Sequence, residues 1–486
     1  MEVRTRIAPS PTGELHIGHL RTLLYDYAYA KKNNGKFIVR VEDTDRTRFV
    51  EGSMDRTLDV IIDYGIMWDE GPRIGGPHEP YEQSKRLGIY KKHAEELVAK
   101  GHGYYCFCTP ERLEKMREEQ RASGAPKTVY DRHCRNLPPE EVEKNLANKV
   151  RHVVRLKVPA DETVVLNDLV HGEVVFDTNE IDDAVLLKSD GYPTYHLAAM
   201  VDDHLMEITH VLRGIDWMPS SPVHMLIYKS FGWELPVFVH LPNLKEMGSN
   251  QKLSKRFGAV AAVDFLQDGF LAEAVLNFLM FLGWNPGTEK EIYSLEEFTN
   301  DFSLEKLQKT DLVAFDREKL TWYNGYYIRN MDVKMLGERL LDWAEIYSVD
   351  LGTKDRSPDY VIKVLEAVRE RMKTLMDFAD ITAYFFDKPK VDREMLIKQS
   401  GDEGRMTGII TSFNELLTTV SYDDWRKDNL DRICHAHLTA NNYKPKEAFM
   451  NLRIALSGET ATPPIFDTME VLGRNEVLER LRAQIR

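Results

Sequence analysis

The sequence has few cysteines, no excess of positive charge and no long apolar run, and each absence excludes a class of protein. Its 486 residues include four cysteines, too few for the disulfide framework of a secreted mini-protein. Acidic residues outnumber basic ones by 78 to 64, so bulk charge does not favour non-specific binding to nucleic acid or anionic membranes. The most apolar stretch, 271–284, contains Glu273 and Asn277 and is shorter than the roughly 20 residues that span a bilayer. We therefore expect a cytoplasmic protein with no membrane partner.

Two common nucleotide-binding fingerprints are also missing. No G-x-G-x-x-G follows the first predicted strand, which disfavours a nicotinamide or flavin site, and no G-x-x-x-x-G-K-[ST] is present, which excludes a P-loop. What is present is an ordinary globular composition, with 43% hydrophobic and 29% charged residues. A chain of this length has room for about three domains.

Alternating and helical patterns predict two strand–helix–strand units. The predicted helices cover 17–32 and 220–231, where apolar residues recur on one helical face. The predicted strands on either side of these helices are 3–8, 37–41, 209–213 and 237–241. Strands joined by a helix in this way should be parallel with a right-handed crossover. The sequence therefore predicts an α/β domain built on a parallel sheet.

The rest of the chain differs from this pattern. Residues 111–155 carry 11 Lys or Arg against 8 Asp or Glu, and strand-like runs follow at 153–158 and 172–177. We interpret 110–189 as an α+β insertion in the α/β domain. After about residue 260 the chain is predicted to be helical, with the clearest spacing over 272–282, 361–378 and 476–485.

The first motif with a chemical interpretation is a P-S-P-T-G turn at 9–13 followed by H-I-G-H at 16–19. A helix that starts here presents free backbone N–H groups, which attract phosphate. Gly18 lacks a side chain, which would let an adenine or ribose approach the backbone. His16 and His19 are three residues apart, so both could donate hydrogen bonds to a reacting phosphate. A zinc pair or two surface histidines are the alternatives.

The second motif is K-L-S-K-R at 252–256, with Gly248 and Gly258 on either side. Lys252, Lys255 and Arg256 could neutralise the pyrophosphate that leaves ATP, and the glycines suggest a mobile loop. Alone, such a string is usually a solvated surface loop. Its pairing with H-I-G-H favours a nucleotide site.

The two motifs together resemble those of class I aminoacyl-tRNA synthetases. Longer stretches resemble the bacterial glutamyl-tRNA synthetase family: R-I-A-P-S-P-T-G-E-L-H-I-G-H, F-I-V-R-V-E-D-T-D-R, D-G-Y-P-T-Y-H-L-A, V-D-D-H-L-M and H-V-L-R-G-I-D-W. The C-terminal stretches I-A-L-S-G-E-T-A-T-P-P and V-L-G-R-N-E-V-L-E-R-L resemble that family more weakly. The resemblance therefore extends over nearly the whole chain.

The resemblance implies a fold and a domain order. The fold is an N-terminal Rossmann-like parallel sheet with an inserted α+β acceptor-binding domain, followed by all-α helical subdomains. The implied domains are a split catalytic domain at 1–109 and 190–250, the acceptor-binding insertion at 110–189, a stem-contact region with the K-L-S-K-R loop at 251–320, and a helical anticodon-binding region at 321–486 with a break near 385.

The resemblance also implies an activity. ATP, with Mg²⁺, activates L-glutamate to glutamyl-adenylate, and the glutamyl group passes to the 2′-hydroxyl of the terminal adenosine of tRNA(Glu). Activation is expected to need tRNA, and the protein is expected to be a monomer. The alternatives are an enzyme that also charges tRNA(Gln), an H-x-G-H nucleotidyltransferase acting without tRNA, and a helical interaction protein with an inactive synthetase domain.

Site residues follow from the matching motifs. The implied catalytic residues are His16, His19, Lys252 and Lys255. The implied ATP-binding residues are Pro11, Thr12, Gly13, His16, Gly18, His19, Trp217, Lys252, Leu253, Ser254, Lys255 and Arg256. The implied glutamate-binding residues are Arg6, Ala8, Ser10, Glu42, Tyr195 and Arg213.

The chemistry of these side chains agrees with a glutamate pocket. Arg6 and Arg213 present planar forks that match carboxylates, and Glu42 suits an ammonium group. An ordinary ion pair between adjacent strands is the alternative for Arg6 and Glu42, and core packing is the alternative for Tyr195 and Trp217. The neighbouring acids Asp202 and Asp203 could ligate a metal, but we interpret them as structural.

Three cysteines lie close together in sequence, at Cys106, Cys108 and Cys134. Some members of the family hold zinc with two cysteines spaced as C-x-C, a later cysteine and a fourth ligand. Structural zinc needs four ligands, and the candidates for the fourth here are Tyr130 and His133. Three reduced, unligated cysteines are the alternative.

Overall fold

A computed structural model describes residues 2–125, 127–249, 251–253, 258, 260–353 and 356–485. The chain divides into two compact units. Unit 1 consists of Met1–Asp264 and Leu276–Asp316, and unit 2 of Phe265–Val275 and Arg317–Arg486. Within the described residues, every helix is too short or too polar to cross a membrane.

The strands and helices alternate in the first half of the chain, and helices dominate the second. The strands are β1 (Arg4–Ile7), β2 (Lys36–Val39), β3 (Gly103–Cys106), β4 (Val153–Leu156), β5 (Thr163–Asp168), β6 (Gly172–Asp177), β7 (Val185–Leu187), β8 (His210–Gly214), β9 (Val237–Leu241), β10 (Asn243–Glu246) and β11 (Leu312–Phe315). The helices of unit 1 and its border are α1 (Ile17–Lys32), α2 (Ser53–Asp63), α3 (Leu87–Ala99), α4 (Pro110–Ala122), α5 (Pro139–Ala147), α6 (Tyr195–Leu205), α7 (Ser221–Phe231), α8 (Ala262–Gln267), α9 (Ala272–Met280) and α10 (Leu295–Asp301). The remaining helices are α11 (Arg317–Asn330), α12 (Val333–Ile346), α13 (Pro358–Val368), α14 (Asp377–Phe386), α15 (Arg393–Ser400), α16 (Glu403–Thr418), α17 (Lys427–Asn441), α18 (Pro445–Ser457), α19 (Ile465–Leu472) and α20 (Arg474–Ile485).

The parallel sheet predicted from the sequence is confirmed. Strand β1 pairs in parallel with β2, and β8 pairs in parallel with β9. Strand β1 also lies beside β8, where the backbone N–H of Thr209 donates to the carbonyl of Arg4 at 3.0 Å. The carboxyl ends of these strands consequently meet at one edge, which is where open α/β sheets bind ligands.

Helix α1 joins β1 to β2 and has the predicted bounds. Its buried face carries Leu20, Leu23 and Leu24, and Lys31 and Lys32 lie in its last turn, where cations suit the helix dipole. Beyond the helix, Gly35 passes so close to the first strand that an added Cβ would lie 2.0 Å from the carbonyl oxygen of Val3. The absence of a side chain at Gly35 therefore allows β2 to run beside β1.

The segment between α3 and α6 mixes strands with helices, as predicted for the insertion. Strands β3, β4 and β7 form an antiparallel sheet, and β5 and β6 form an antiparallel hairpin. The hairpin connects to the parallel sheet, because Asp168 at the end of β5 pairs with Phe238 of β9. The inserted segment therefore reaches the sheet on which the candidate site is built.

Unit 2 is helical, as predicted, but one segment of predicted helical spacing is interrupted. That segment is 361–378, whereas α13 ends at Val368 and α14 begins at Asp377. The Asp377 carboxylate accepts hydrogen bonds from the backbone N–H groups of Lys373 and Thr374 at 2.7 and 2.9 Å. These bonds satisfy backbone N–H groups of the turn that separates the two helices.

Candidate active site

The loop that holds the second motif is attached to the residues around the first. After the loop, the Val260 carbonyl accepts from the Ile17 N–H at 2.8 Å, and the Ala262 N–H donates to the Leu15 carbonyl at 2.7 Å. At its start, the Leu253 N–H donates to the carbonyl of Leu244 in β10 at 2.8 Å. Both ends of the loop are thus tied to unit 1 beside the start of α1.

The central residues of the predicted loop are not covered. Ser254, Lys255 and Arg256 lie outside the described residues. Lys252 and Leu253 are described, with Leu253 buried and Lys252 largely exposed. The contribution of the loop to the site is therefore argued from Lys252.

His16 and His19 occupy the first turn of α1, with ring centroids 6.1 Å apart. His16 caps the helix, because its Nδ1 accepts a hydrogen bond from the Gly18 N–H at 3.0 Å. In the neutral ring Nε2 then carries the proton and can donate it to a ligand. A Cβ on Gly18 would lie 3.2 Å from this Nδ1, so Gly18 makes room for the histidine ring rather than only for a nucleotide.

His19 lies close to the cations of this region. Part of its ring is open to solvent, yet the surrounding protein removes enough water to lower its pKa. The positive charges of Lys252 and Arg21 lower this pKa further. The structure therefore brings His19 of the first motif near Lys252 of the second.

The short helix Ile215–Ser220, which follows β8, carries two side chains of the site. Asp216 forms an ion pair with Lys252 and accepts a hydrogen bond from Asn243 Nδ2 at 2.5 Å. Burial acts to raise the pKa of Asp216, but these hydrogen bonds outweigh it and hold the pKa below its usual value. Trp217 is 41% exposed, and its ring centroid lies 4.3 Å from that of Tyr195.

The turn before α1 carries the other predicted ATP-binding residues. The Pro11 carbonyl accepts from the Val50 N–H at 2.8 Å, which attaches the turn to the segment before α2. Thr12 is exposed, and Gly13 adopts a φ of +142°, a conformation that favours glycine. The turn is thus held by its backbone and keeps its Thr12 side chain towards solvent.

Arg6 and Glu42 lie at the carboxyl edge of the sheet but do not pair with each other. Arg6 Nε donates to Asp203 of α6 at 3.0 Å, and Arg40 binds both Asp203, at 2.6 Å, and Glu42, at 3.0 Å. Burial raises the pKa of Glu42, and the Arg40 charge opposes that effect. The predicted cation and anion are thus both buried, each with a partner that was not predicted.

Arg213 at the end of β8 is held differently from Arg6. Its guanidinium donates to His240 Nε2 at 3.0 Å, His224 Nδ1 at 3.0 Å and Ser221 Oγ at 2.8 Å. Within the described part of the chain, no carboxylate is hydrogen-bonded to Arg213, although only 5% of it is exposed. Burial lowers its pKa but leaves a guanidinium charged at neutral pH. The group therefore retains a positive charge that suits a carboxylate ligand.

The remaining predicted residues of the amino-acid pocket surround this edge. Tyr195 begins α6, and burial raises the pKa of its hydroxyl, so that it stays protonated. Ala8 and Ser10 follow β1, and Ser10 is exposed. The structure places all the predicted glutamate-binding residues in unit 1.

The three cysteines predicted as metal ligands form a cluster in unit 1. The sulfur atoms of Cys106, Cys108 and Cys134 all lie within 4.8 Å of one another. The Tyr130 hydroxyl is 3.3 Å from Cys106 Sγ and 3.4 Å from Cys108 Sγ. Of the two candidates for a fourth ligand, Tyr130 lies with the thiols, whereas His133, next to Cys134 in the sequence, is exposed.

Positive charge surrounds the cysteine cluster. The guanidinium of Arg155 lies 3.9 Å from the centroid of the Tyr130 ring, and Arg112 Nη1 is 3.5 Å from Cys108 Sγ. Hydrogen bonds from Cys134 and Tyr130 lower the pKa of Cys106. These contacts favour the thiolate form of Cys106, which is the form that binds metals, whereas the hydrogen bond with Cys106 and burial raise the pKa of Cys134.

Comparisons with known proteins identify the family of the chain. A family model described as the catalytic domain of class I tRNA synthetases (E and Q) matches residues 2–322. The chain belongs to this synthetase family. A model of an anticodon binding domain matches residues 335–485.

Curated relatives and solved structures support the assignment over the full length. Glutamate–tRNA ligases of Clostridium novyi and Dehalococcoides mccartyi are 40% and 42% identical to the synthetase, across 100% of it and 98% and 97% of their own chains. A crystal structure of a glutamate tRNA ligase from Elizabethkingia meningosepticum, in complex with its amino acid, has a TM-score of 0.90 at 34% identity and covers 100% of this chain and 99% of that one. The resemblance to the glutamyl-tRNA synthetase family is confirmed.

Several partners of the candidate site residues were not predicted from the sequence. Asp203 pairs with Arg6, Asp216 pairs with Lys252, and His224 and His240 hold Arg213. An acidic pair on an otherwise apolar helix was the available signal for Asp203. Single histidines in a strand and a helix gave no comparable signal.

Proposed function

We propose that this synthetase ligates L-glutamate to tRNA(Glu) at the expense of ATP. The observation that carries the proposal is the attachment of the Lys252 loop to the start of α1, where Val260 bonds to Ile17. This attachment keeps Lys252 of the second motif near His19 of the first. Groups on two sides of one nucleotide can stabilise the charge that develops as pyrophosphate leaves. An ATP site that used only one of the two motifs would leave the other motif unexplained.

In the proposed first step, glutamate is activated by ATP. Its α-carboxylate oxygen attacks the α-phosphorus, the bond to the bridging oxygen breaks, and glutamyl-adenylate and pyrophosphate form. His16 Nε2–H and His19 would donate to phosphate oxygens, and Lys252 would neutralise pyrophosphate, with Lys255 and Arg256 expected to add charge. Mg²⁺ is expected with the phosphates, as it usually is. Trp217, Thr12 and the backbone of 11–13 are the proposed contacts of the nucleoside.

The amino-acid side of the pocket would be formed by the sheet edge. Arg6 and Arg213 supply positive charge for the carboxylates, and Glu42 supplies negative charge for the ammonium group. Tyr195 and Ser10 can add neutral hydrogen bonds. Arg6 is already paired with Asp203, so Arg213 provides the stronger attraction for an anion.

The transfer step requires tRNA, and the matched anticodon binding domain supports that partner. The 2′-hydroxyl of the terminal adenosine would attack the adenylate carbonyl and release AMP. We propose that 110–189 contacts the acceptor end, that 251–320 contacts the stem and that 321–486 contacts the anticodon. The expectations that the synthetase is a monomer and that activation waits for tRNA remain predictions.

A charging assay with each amino acid, with and without tRNA, tests the function. Glutamate should be attached to tRNA(Glu), and glutamate-dependent exchange of pyrophosphate into ATP should appear when tRNA is added. If the tRNA is charged with another amino acid instead of glutamate, the substrate assignment is overturned. A product formed on a small acid without tRNA would favour the nucleotidyltransferase alternative, and charging of tRNA(Gln) would show a less selective enzyme.

We also propose that the cysteine cluster binds one zinc ion. Three thiolates and a phenol oxygen provide the four ligands that structural zinc requires. The cluster lies where β3 meets the inserted segment, so the metal would fix the start of that segment. Arg155 and Arg112 would offset the negative charge of the ligands.

Elemental analysis of protein purified without chelators should find about one zinc per chain. The variant Cys134→Ser should lose the metal, and its insertion should become less resistant to proteolysis. Cys434→Ser is the matched control, because Cys434 is also buried but lies in α17 of unit 2. Wild-type protein without metal would contradict the proposal.

A further inference from the structure

A continuous chain of hydrogen bonds runs through the interior of unit 1 to Arg213. Asp168 Oδ2 accepts from His240 Nδ1 at 2.7 Å, and His240 Nε2 accepts from Arg213 Nε at 3.0 Å. On the other side, Arg213 Nη1 donates to His224 Nδ1 at 3.0 Å, and His224 Nε2 lies 3.1 Å from His196 Nδ1. Asp168, His240, Arg213 and His224 are all buried. The members come from β5, β8, β9, α6 and α7.

The guanidinium fixes the proton positions along this chain. Arginine has donors but no acceptor, so His240 Nε2 and His224 Nδ1 must both be unprotonated. The proton of His240 then lies on Nδ1 and is donated to Asp168. The proton of His224 lies on Nε2 and is donated to His196. Each ring is thus restricted to one tautomer by the contact on its other nitrogen.

The electrostatics of the chain keep both imidazoles neutral. Burial lowers the pKa of His224 far below its usual value, and Arg213 lowers it further. Burial also lowers the pKa of His240, against the opposing effect of Asp168. Burial would raise the pKa of Asp168, but hydrogen bonds from His240 and from the backbone outweigh it and keep the pKa low. Asp168 is therefore separated from Arg213 by the uncharged ring of His240.

The arrangement leaves Arg213 with donors to spare. A guanidinium has five N–H groups, and His240, His224 and Ser221 each take one. Of the N–H groups that remain, one lies within reach of the Tyr195 hydroxyl, and they can donate to a carboxylate. Arg6 differs, because two of its nitrogens already donate to Asp203. The neutral acceptors around Arg213 satisfy its other donors without cancelling its charge.

We propose that Asp168, His240 and His224 are positioning residues that hold Arg213, through neutral acceptors, in the orientation that binds a carboxylate of the substrate. This inference rests on the proposed function, because it assigns the ligand of Arg213 as the amino acid. It also gives the inserted hairpin a role in the amino-acid site, since Asp168 ends β5. Loss of an acceptor should weaken glutamate binding without affecting the ATP contacts.

His224 offers a matched pair of variants. In His224→Asn, the amide oxygen can accept from Arg213 in place of Nδ1, whereas His224→Leu leaves the Arg213 donor unpaired at similar side-chain volume. We expect the KM for glutamate in tRNA charging to rise about tenfold or more in His224→Leu and to be largely restored in His224→Asn. The KM for ATP should stay within about twofold in both.

Asp168→Asn tests the Asp168 end of this chain of hydrogen bonds. The new amide can donate to His240 Nδ1, which would favour the tautomer with its proton on Nε2, facing the Arg213 donor. The KM for glutamate should again rise about tenfold, although the substituted side chain would touch neither Arg213 nor substrate. His210→Gln is the control, because His210 is a half-buried histidine at the other end of β8, bonded to Tyr29.

The outcomes separate this inference from the proposed function. If the wild type does not charge tRNA with glutamate, the proposed function fails. If it does, an unchanged KM for glutamate in folded His224→Leu and Asp168→Asn overturns the positioning role. An equal rise in the KM values for glutamate and ATP, with a matching loss of thermal stability, overturns it as well, because it would indicate a general structural role.

Discussion

Lys252 is a described residue of the second motif that acts on the first, because its positive charge lowers the pKa of His19. It also forms an ion pair with Asp216. Replacing Lys252 by alanine removes a cation from the proposed pyrophosphate site. In single-turnover adenylate formation with tRNA present, Lys252→Ala should be slower by about 100-fold. Lys229→Ala is the control, since Lys229 pairs with the surface residue Glu162. An unchanged rate in Lys252→Ala would remove this lysine from the mechanism.

The buried His224 predicts a pH dependence of stability. Its pKa in the folded protein is well below 6.5, the value of an unperturbed histidine. As the pH falls below 6.5, the unfolded chain binds a proton at His224 that the folded protein does not bind. The free energy of unfolding should therefore decrease from about pH 7.5 to about pH 5.5, by up to about 1.4 kcal/mol per pH unit for this one group. Urea unfolding of the wild type and of His224→Asn measures the slope, which should be smaller in the variant; equal slopes would contradict the assignment.

How much of the site was predictable depends on where each residue lies in the chain. Arg6 and Arg213 lie near the carboxyl ends of parallel strands and Glu42 follows one, so their shared edge could be inferred from local patterns. Their partners could not be inferred in this way. Asp203 and His240 are distant in sequence from the arginines that they contact, and contacts of this kind depend on tertiary structure.

At the scale of elements, a close backbone approach at Gly35 predicts a large stability effect. A Cβ on Gly35 would lie 2.0 Å from the carbonyl oxygen of Val3, so Gly35→Ala must separate β1 from the turn before β2. We expect a loss of about 3 kcal/mol in the free energy of unfolding. Gly88→Ala is the control, since Gly88 is in α3 and a Cβ there meets no atom within 4 Å. If both variants show the same thermal unfolding as the wild type, the predicted loss of stability in Gly35→Ala is contradicted.

The success of helix prediction also depended on what ends each helix. The bounds of α1 agree with the sequence prediction, because Pro11 and Gly13 precede it and Gly35 follows it as local signals. The prediction over 361–378 missed the interruption because apolar spacing continues through a turn. That turn is stabilised by Asp377 and by the Leu375 N–H, which donates to the carbonyl of Gly269 at 2.9 Å. The second contact joins residues far apart in the sequence and gives no local pattern.

At the scale of the whole molecule, the net charge has the same sign as the proposed tRNA partner, but net-charge repulsion and phosphate contacts act at different ranges. The formal charge is −14, which would repel a polyanion at long distance. Salt screens charges beyond about 10 Å at about 0.1 M, whereas a phosphate contact needs only a cation within bonding distance. The segment 111–155 provides such a local excess of Lys and Arg. Binding of tRNA should therefore depend on local cations and not on the total.

This argument predicts the salt dependence of tRNA binding. The dissociation constant for tRNA(Glu), measured by filter binding, should increase steeply between about 50 and 200 mM salt, by about 10-fold or more if several phosphates are contacted. Arg117→Gln, on the exposed face of α4 in the basic segment, should reduce the slope of log K against log salt by up to about 1 if Arg117 contacts a phosphate. Arg432→Gln, an exposed arginine on α17 bonded to Asn429, provides a comparison from the anticodon-binding region. Affinity that does not change with salt in the wild type would contradict binding through phosphate contacts, whatever the effect of either substitution.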